Sequence, residues 1–117
     1  MKIKYNHWLP RLFPNWMRIE AITIYPNIYI VGLDADMRLL RHEYEHLKQM
    51  ERLGRVKFYL SYVYEFILGF IEYRNWSDAY HSISFEFEAY LVQSNIYDDD
   101  FQDWFNKYVL KKWEVNR

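Results

Sequence analysis

The chain has 117 residues, and its 15 Lys and Arg against 16 Asp and Glu leave a formal net charge of -1. Aromatic residues make up 21% of the chain, which has 3 Gly, 3 Pro and no Cys. This composition excludes an intrinsically disordered, a collagen-like or a disulfide-framework protein. The length predicts a single domain over residues 1–117. Because the charge is nearly balanced, we expect neither nucleic acid nor a membrane as a partner.

Neither the N-terminus nor the most apolar run predicts export or membrane insertion. Residues 1–13 begin with a Lys-rich stretch but lack the continuous apolar segment of a secretory signal. The apolar run 58–71 contains Glu65 and is shorter than the roughly 20 residues of a spanning helix. We therefore expect a cytoplasmic protein, and the absence of Cys agrees with a reducing compartment.

The first 32 residues predict an irregular arm followed by a short β element. Every Pro lies within the first 26 residues, and residues 1–17 have neither helical nor alternating periodicity. Residues 19–32 are rich in Ile, Tyr and Val, and Pro26-Asn27 indicates a turn between two alternating halves. A β-hairpin or small sheet is expected there, packed on the helices that follow.

From residue 34 onward the pattern favours helices. The first is expected to begin after Asp34 or Asp36 and to end at Gly54. Further helices are expected over about residues 56–73, 84–93 and 98–113, with a loop over 74–82. The predicted fold class is therefore α+β and mostly α, with a small β element, a first helix and about three further helices.

The first predicted helix carries His42-Glu43-Tyr44-Glu45-His46, which is the pattern H-E-x-x-H. Residues four apart share one face of a helix, so His42 and His46 can direct an imidazole nitrogen at one metal ion. Glu43 is offset by about 100° around the axis and can take a proton from a metal-bound water. Two imidazoles, a carboxylate and an exchangeable water suit the tetrahedral preference of Zn²⁺. The motif therefore predicts a zinc site with Glu43 as the general base.

A third protein ligand is needed, because catalytic zinc commonly has three protein ligands and one open position. The third predicted helix offers two carboxylates, Glu86 and Glu88, among the aromatic residues Phe85, Phe87 and Tyr90. Two residues apart, the carboxylates point to different sides of a helix, so only one is expected to bind the metal. Glu88 is the preferred candidate and Glu86 the next to test, while an exposed helix charge is the alternative for either.

The pattern His42–His46, with Glu88-Ala89 far downstream on another helix, resembles the gluzincin type of zinc metallopeptidase. More narrowly, residues 42–49, 52–54 and 79–90 resemble small single-domain proteins with the pattern H-E-x-x-H-x-x-Q. This resemblance implies a minimal zincin-like domain in which His42, His46 and Glu88 bind Zn²⁺ and Glu43 is the general base.

The resemblance also has implications for the substrate. It implies a peptide or protein substrate that is held along an edge strand, for which residues 28–31 are the candidate. The second subdomain that walls the cleft of larger gluzincins is missing from so short a chain.

Other polar residues near the motif have weaker claims to a role. His81 and Tyr80 precede the third predicted helix, and either could donate a hydrogen bond to the oxyanion formed during hydrolysis. His81 is taken as the catalytic candidate, although capping or packing is the more common role of such residues. Gln49 could orient a metal ligand or form a hydrogen bond between helix and loop.

The leading interpretation is a zinc metallopeptidase that hydrolyses a peptide or amide bond with a zinc-bound water activated by Glu43. The alternative is a catalytically inactive, zincin-like metal-binding module with a structural or interaction role. A metal-free helical protein that carries the motif by accident is a third possibility. The substrate and the oligomeric state do not follow from the sequence.

Overall fold

The computed structural model describes residues 2–13, 19–32 and 36–110, apart from the side chain of Leu110. Within these ranges lie three strands, β1 (Ile3–Lys4), β2 (Ala21–Ile24) and β3 (Asn27–Ile30). The helices of the same ranges are α1 (Met37–Leu53), α2 (Arg55–Tyr73), α3 (Trp76–His81), α4 (Ser84–Val92) and α5 (Asp99–Phe105). A 3₁₀ turn at Leu9–Leu12 and a π-helical turn at Asn106–Leu110 complete the described chain. The predicted α+β, mostly helical fold class is confirmed.

The β element is a three-stranded sheet with the order β1-β3-β2. Strands β2 and β3 form the predicted hairpin, in which Ala21 lies opposite Ile30 and Ile24 opposite Asn27. Strand β1, which falls in the arm predicted to be irregular, pairs in parallel with β3. The expectation that residues 28–31 form an edge strand is therefore wrong, because β3 is central and β2 is an edge of the described sheet.

Helix α1 begins and ends at the residues that the sequence predicts. A side-chain oxygen of Asp36 accepts a hydrogen bond from the Leu39 backbone N–H at 2.7 Å, which caps the first turn. At the other end Gly54 has a φ of 87°, a conformation that a residue with a Cβ rarely adopts. The other candidate cap, Asp34, lies outside the described residues, as do residues 14–17 of the predicted arm and the end of the last predicted helix.

Two apolar clusters hold α1 from opposite sides. The first joins the sheet, α1 and the C-terminal segment, and consists of Ile3, Ala21, Ile28, Ile30, Leu40, Tyr44, Leu47, Phe101 and Val109. The second joins α1 to α2 and α4 through Met50, Phe58, Ile83 and Phe85. Because both sides of α1 are packed, its polar side chains between the two clusters are also buried, and their orientations are fixed.

Helix α3 lies in the segment 74–82, which the sequence predicts to be a loop. The Asn75 side chain accepts a hydrogen bond from the Asp78 backbone N–H at 3.1 Å and caps the helix. The Trp76 ring stacks on Phe70 of α2, with ring centroids 4.1 Å apart. The cap, the stacking of Trp76 on α2 and the burial of Ala79 therefore stabilise a short helix in a turn-rich sequence. No helix among the described residues is long and apolar enough to cross a membrane.

Replacing Gly69 by Ala is expected to destabilise the protein, because α2 and α3 approach closely at this residue. An added Cβ would clash with the Ser82 Oγ and would lie 3.1 Å from the Ala79 Cα. We expect Gly69→Ala to lower the free energy of unfolding by about 1–3 kcal/mol, measured by urea denaturation. The double variant Gly69→Ala/Ser82→Ala should recover part of this loss, because it removes the shorter contact. A Gly69→Ala variant as stable as the parent would contradict this close packing.

Candidate metal centre

Two histidines of α1 and one glutamate of α4 converge on a single buried point. The Glu86 Oε1 lies 3.1 Å from the His42 Nε2 and 2.7 Å from the His46 Nε2. One ligand atom from each residue lies within 4.8 Å of the others, and all three residues are buried. The i, i+4 spacing directs both imidazoles to one side of α1, and the packing of α4 supplies the carboxylate.

The carboxylate in this group is that of Glu86, and not that of Glu88. Glu88 lies on the outer side of α4, where its Oε1 forms an ion pair with Arg52 at 3.5 Å. The inner side of α4 carries Phe85, Glu86 and the fully buried Ala89, whose small side chain lets the helices approach. The structure therefore does not bring the preferred sequence candidate to the histidines, and it brings the second candidate there instead.

The second oxygen of the Glu86 carboxylate also has hydrogen-bond partners. The Tyr80 hydroxyl of α3 donates to Oε2 at 3.0 Å, and the Tyr62 hydroxyl of α2 donates to it at 3.5 Å. A carboxylate as deeply buried as Glu86, with 2% of its surface exposed, is costly without such partners. Three helices besides its own thus contribute groups that stabilise this one side chain.

The other ring nitrogen of each histidine faces a glutamine oxygen. The His46 Nδ1 lies 2.9 Å from the Gln49 Oε1, and the His42 Nδ1 lies 3.1 Å from the Gln93 Oε1. The orientation of the Gln49 amide is fixed because its Nε2 donates to the Phe85 carbonyl oxygen at 3.1 Å. An acceptor at Nδ1 selects the ring form that has its proton there, which leaves the Nε2 lone pair free for a metal.

Glu43 lies beside the histidine pair, where two openings meet. Its Oε2 accepts a hydrogen bond of 2.6 Å from the Thr23 hydroxyl of β2. It lines a polar cavity of about 250 Å³ and an apolar groove of about 430 Å³. The apolar groove runs between β2 and α2 and is lined among others by Ile22, Ile24, Met50, Phe58, Tyr59, Val63 and Phe66. The buried group can therefore be reached from either side of Glu43.

His81 and Tyr80, the two candidates for oxyanion binding, lie in different environments. The His81 ring is exposed, and its Nδ1 lies 2.7 Å from the Ser77 carbonyl oxygen within α3. The structure therefore does not bring His81 into the group. Tyr80 lies within it, because its hydroxyl contacts Glu86 and its side chain lines both openings.

The charges of the group are coupled. Burial opposes the protonated form of His46, but the Glu86 carboxylate outweighs it and raises the pKa of His46 to about 9. Burial likewise opposes the charged form of Glu86, yet the charge of His46 and the hydrogen bonds from both histidines hold its pKa well below the usual range. Burial and the Glu86 charge raise the pKa of the Tyr62 and Tyr80 hydroxyls, which remain protonated donors. The group is thus organised around one carboxylate that requires positive charge beside it.

These three side chains could hold a metal ion. Two imidazole nitrogens and a carboxylate oxygen form a donor set that transition metals and Zn²⁺ accept. The second nitrogen of each imidazole and the second oxygen of the carboxylate are already hydrogen-bonded, as is usual for metal ligands. Residues and geometry therefore fit a metal with these three protein ligands.

Fold and site together define a small α+β protein with a buried His-His-Glu group between α1 and α4. Comparison with known proteins finds no matching family model, no matching curated protein and no matching solved structure.

Loss of the Gln49 side chain is expected to destabilise the protein more than loss of Gln93. Gln49 is fully buried, so Gln49→Leu would leave the His46 Nδ1 without a partner or water and would remove the hydrogen bond that joins α1 to the Phe85 carbonyl of α4. We expect it to lower the free energy of unfolding of the metal-free protein by about 2–4 kcal/mol, measured by urea denaturation.

Gln93→Leu is the matched control for this measurement. Gln93 is only partly buried and lines the polar cavity, so water can replace its contact with His42. The expected loss is below about 1 kcal/mol. Equal losses for the two variants would contradict a special role of Gln49 in joining α1 to α4.

Proposed function

We propose that the protein is a zinc-dependent peptidase that uses Glu43 as its general base. The observation that supports this most directly is the convergence of His42, His46 and Glu86, with Glu43 beside them at the meeting point of two openings. A metal centre of purely structural use needs neither access from outside nor a second carboxylate at the opening, and this site has both features.

Zinc is the metal that this donor set favours. Two imidazoles and one carboxylate, with room for a fourth ligand, match the composition of catalytic zinc sites. When bound, the ion would supply Lewis-acid activation of a water molecule and of a substrate carbonyl. The two glutamines would keep the imidazole rings in the orientation that binding requires, and Tyr80 would do the same for the Glu86 carboxylate.

Glu43 would move the proton that hydrolysis requires. Its carboxylate would accept a proton from the water that attacks the carbonyl carbon and later donate it to the nitrogen that leaves. The Thr23 hydroxyl donates to Oε2 and would fix the orientation of the carboxylate, leaving Oε1 for the water. Because Tyr80 lines both openings, its hydroxyl is also available to the negative oxygen that develops on the carbonyl.

A peptide would bind along β2. This strand pairs only with β3 among the described residues, so its other edge has free backbone groups that could hydrogen-bond to an extended peptide. Thr23 of the same strand contacts Glu43, so a peptide on this edge would pass next to the general base. The groove between β2 and α2 is lined mainly by apolar side chains and would accept bulky apolar residues of the substrate.

Replacement of Glu86 is expected to abolish tight metal binding, whereas replacement of Glu88 is not. Glu86→Gln removes the one charge of the donor set, and we expect the Kd for Zn²⁺ to rise by more than about 100-fold. Glu88→Gln is the matched control on the same helix, and its Kd should stay unchanged. Competition with a chromophoric chelator measures both values, with circular dichroism as a check of folding. A larger loss in Glu88→Gln would contradict the assignment of Glu86.

Glu43→Gln is expected to keep the metal and to lose hydrolysis. The amide retains the size of the carboxylate but cannot accept the proton, so turnover should fall by about 10²–10⁴-fold. Cleavage of a peptide mixture rich in bulky apolar residues, followed by mass spectrometry, measures turnover, and elemental analysis measures zinc. Glu51→Gln, an exposed change on the same helix, is the control that should remain active.

The outcomes separate the two functions that the site can serve. Undiminished cleavage by Glu43→Gln would contradict its role as general base. If the parent protein binds one zinc ion per chain but cleaves no peptide, the metal-binding module without catalytic activity is supported instead.

A further inference from the structure

The outer face of α2 is a stripe of apolar residues that no described part of the chain covers. Its members are Val56, Leu60, Val63, Tyr64, Ile67 and Ile71, and each is at least 52% exposed. They recur at intervals of three and four, so they lie along one side of the helix. No charged residue of α2 falls within the stripe, which is unusual for the solvent-facing side of a helix in a soluble domain.

The stripe is symmetric about its own centre. Val56 and Ile71 lie at the two ends, Leu60 and Ile67 lie at equal distances inside them, and Val63 and Tyr64 lie in the middle. An antiparallel copy of the helix would therefore place each apolar residue opposite another apolar residue. A two-fold axis between Val63 and Tyr64 produces this arrangement, and two-fold dimers are the commonest oligomers.

Charges at the two ends of α2 favour the same arrangement. Lys57 lies beside the stripe near the N-terminus of the helix, and Glu72 lies near its C-terminus on the same flank. Both side chains are exposed, and neither forms an ion pair within the described ranges. An antiparallel pair brings each Lys57 next to the Glu72 of the other copy, whereas a parallel pair would place these side chains on opposite sides of the seam and leave both unpaired. Arg55 is already engaged, because it lies over the Tyr25 ring.

We propose that the protein forms a two-fold symmetric homodimer in which the apolar stripes of two α2 helices pack antiparallel. The dimer would have a consequence for the groove beside Glu43. Tyr59 and Val63 line that groove, and Val63 also belongs to the stripe. The α2 helix of the second copy would therefore lie beside Val63, along the outer rim of the groove.

The mass of the 117-residue protein in solution, measured with and without added Zn²⁺, tests the dimer. Analytical ultracentrifugation of a dilution series is expected to give twice the chain mass of 14.7 kDa at high concentration. Ile67→Glu would bury two charges, one on each side of the two-fold axis, and it should raise the dimer Kd by about 100-fold or more. Leu91→Glu on α4 is the control, since Leu91 is as exposed as Leu60 but lies outside the stripe. A parent protein that remains monomeric, or an equal effect of the two variants, would overturn the proposal.

Charge exchange tests the antiparallel arrangement independently of folding defects. Lys57→Glu alone makes both end contacts repulsive and should weaken the dimer by about tenfold. Lys57→Glu/Glu72→Lys restores opposite charges and should recover most of the affinity. A double variant that stays as weak as the single one would overturn the antiparallel arrangement.

A lipid surface is the other partner that an apolar helix face can bind. Binding to lipid and dimerisation give different results in a vesicle experiment. Co-sedimentation with vesicles of phosphatidylcholine, neutral or with added phosphatidylserine, measures it directly. We expect the dimer to stay in the supernatant, because its stripes are covered. Sedimentation of the parent protein with these vesicles, abolished by Ile67→Glu and insensitive to the charge exchange, would overturn the dimer in favour of lipid.

Discussion

The contact between the Glu86 carboxylate and the two imidazoles of α1 is the interaction on which the rest of the structure depends. Glu86 is only 2% exposed, and at such a buried position an uncompensated charge would cost several kcal/mol. A carboxylate that faces two imidazole nitrogens is stabilised by a cation among them, either a proton that charges one imidazole or a metal ion. In the metal-free protein the Glu86 carboxylate raises the pKa of His46, which favours the protonated imidazole. A metal ion would meet the same electrostatic requirement at the same point.

The helices are arranged so that this requirement is met by several elements at once. Helix α1 supplies the imidazoles, α4 supplies the carboxylate, and α2 and α3 each supply a tyrosine hydroxyl to its second oxygen. The fully buried Gln49 joins α1 to the backbone of α4 beside them. Helix α3 approaches α2 closely at Gly69, and the residue in contact there is Ala79, which directly precedes Tyr80. The polar group thus links four helices that the small apolar clusters alone would hold less firmly.

What the sequence predicts correctly is mainly local. The positions of His42 and His46 follow from their spacing on one helix, and the ends of α1 follow from Asp36 and Gly54. The choice between Glu86 and Glu88 depends instead on how α4 is rotated about its axis against α1. Phe85 and Phe87 do not indicate this rotation, because they lie on both sides of Glu86. Ala89 carried the missing signal, because a small residue three positions after Glu86 marks the side of closest approach. Thr23, Gln93 and Tyr62 come from distant segments, so no local pattern identifies them. Nor does a two-residue strand such as β1, whose pairing makes β3 central, have a recognisable pattern.

The aromatic residues of α2 have different roles on different faces of the helix. Phe58 and Tyr62 face the site, where one packs and the other donates a hydrogen bond, while Tyr64 faces solvent within the apolar stripe. Helix α2 is a rigid element, and it borders the groove on one side and carries the exposed stripe on another. Whatever covers the stripe therefore restricts the motion of the groove wall that Tyr59 and Val63 form. The proposed partner on the stripe and the proposed substrate in the groove would therefore contact the same helix.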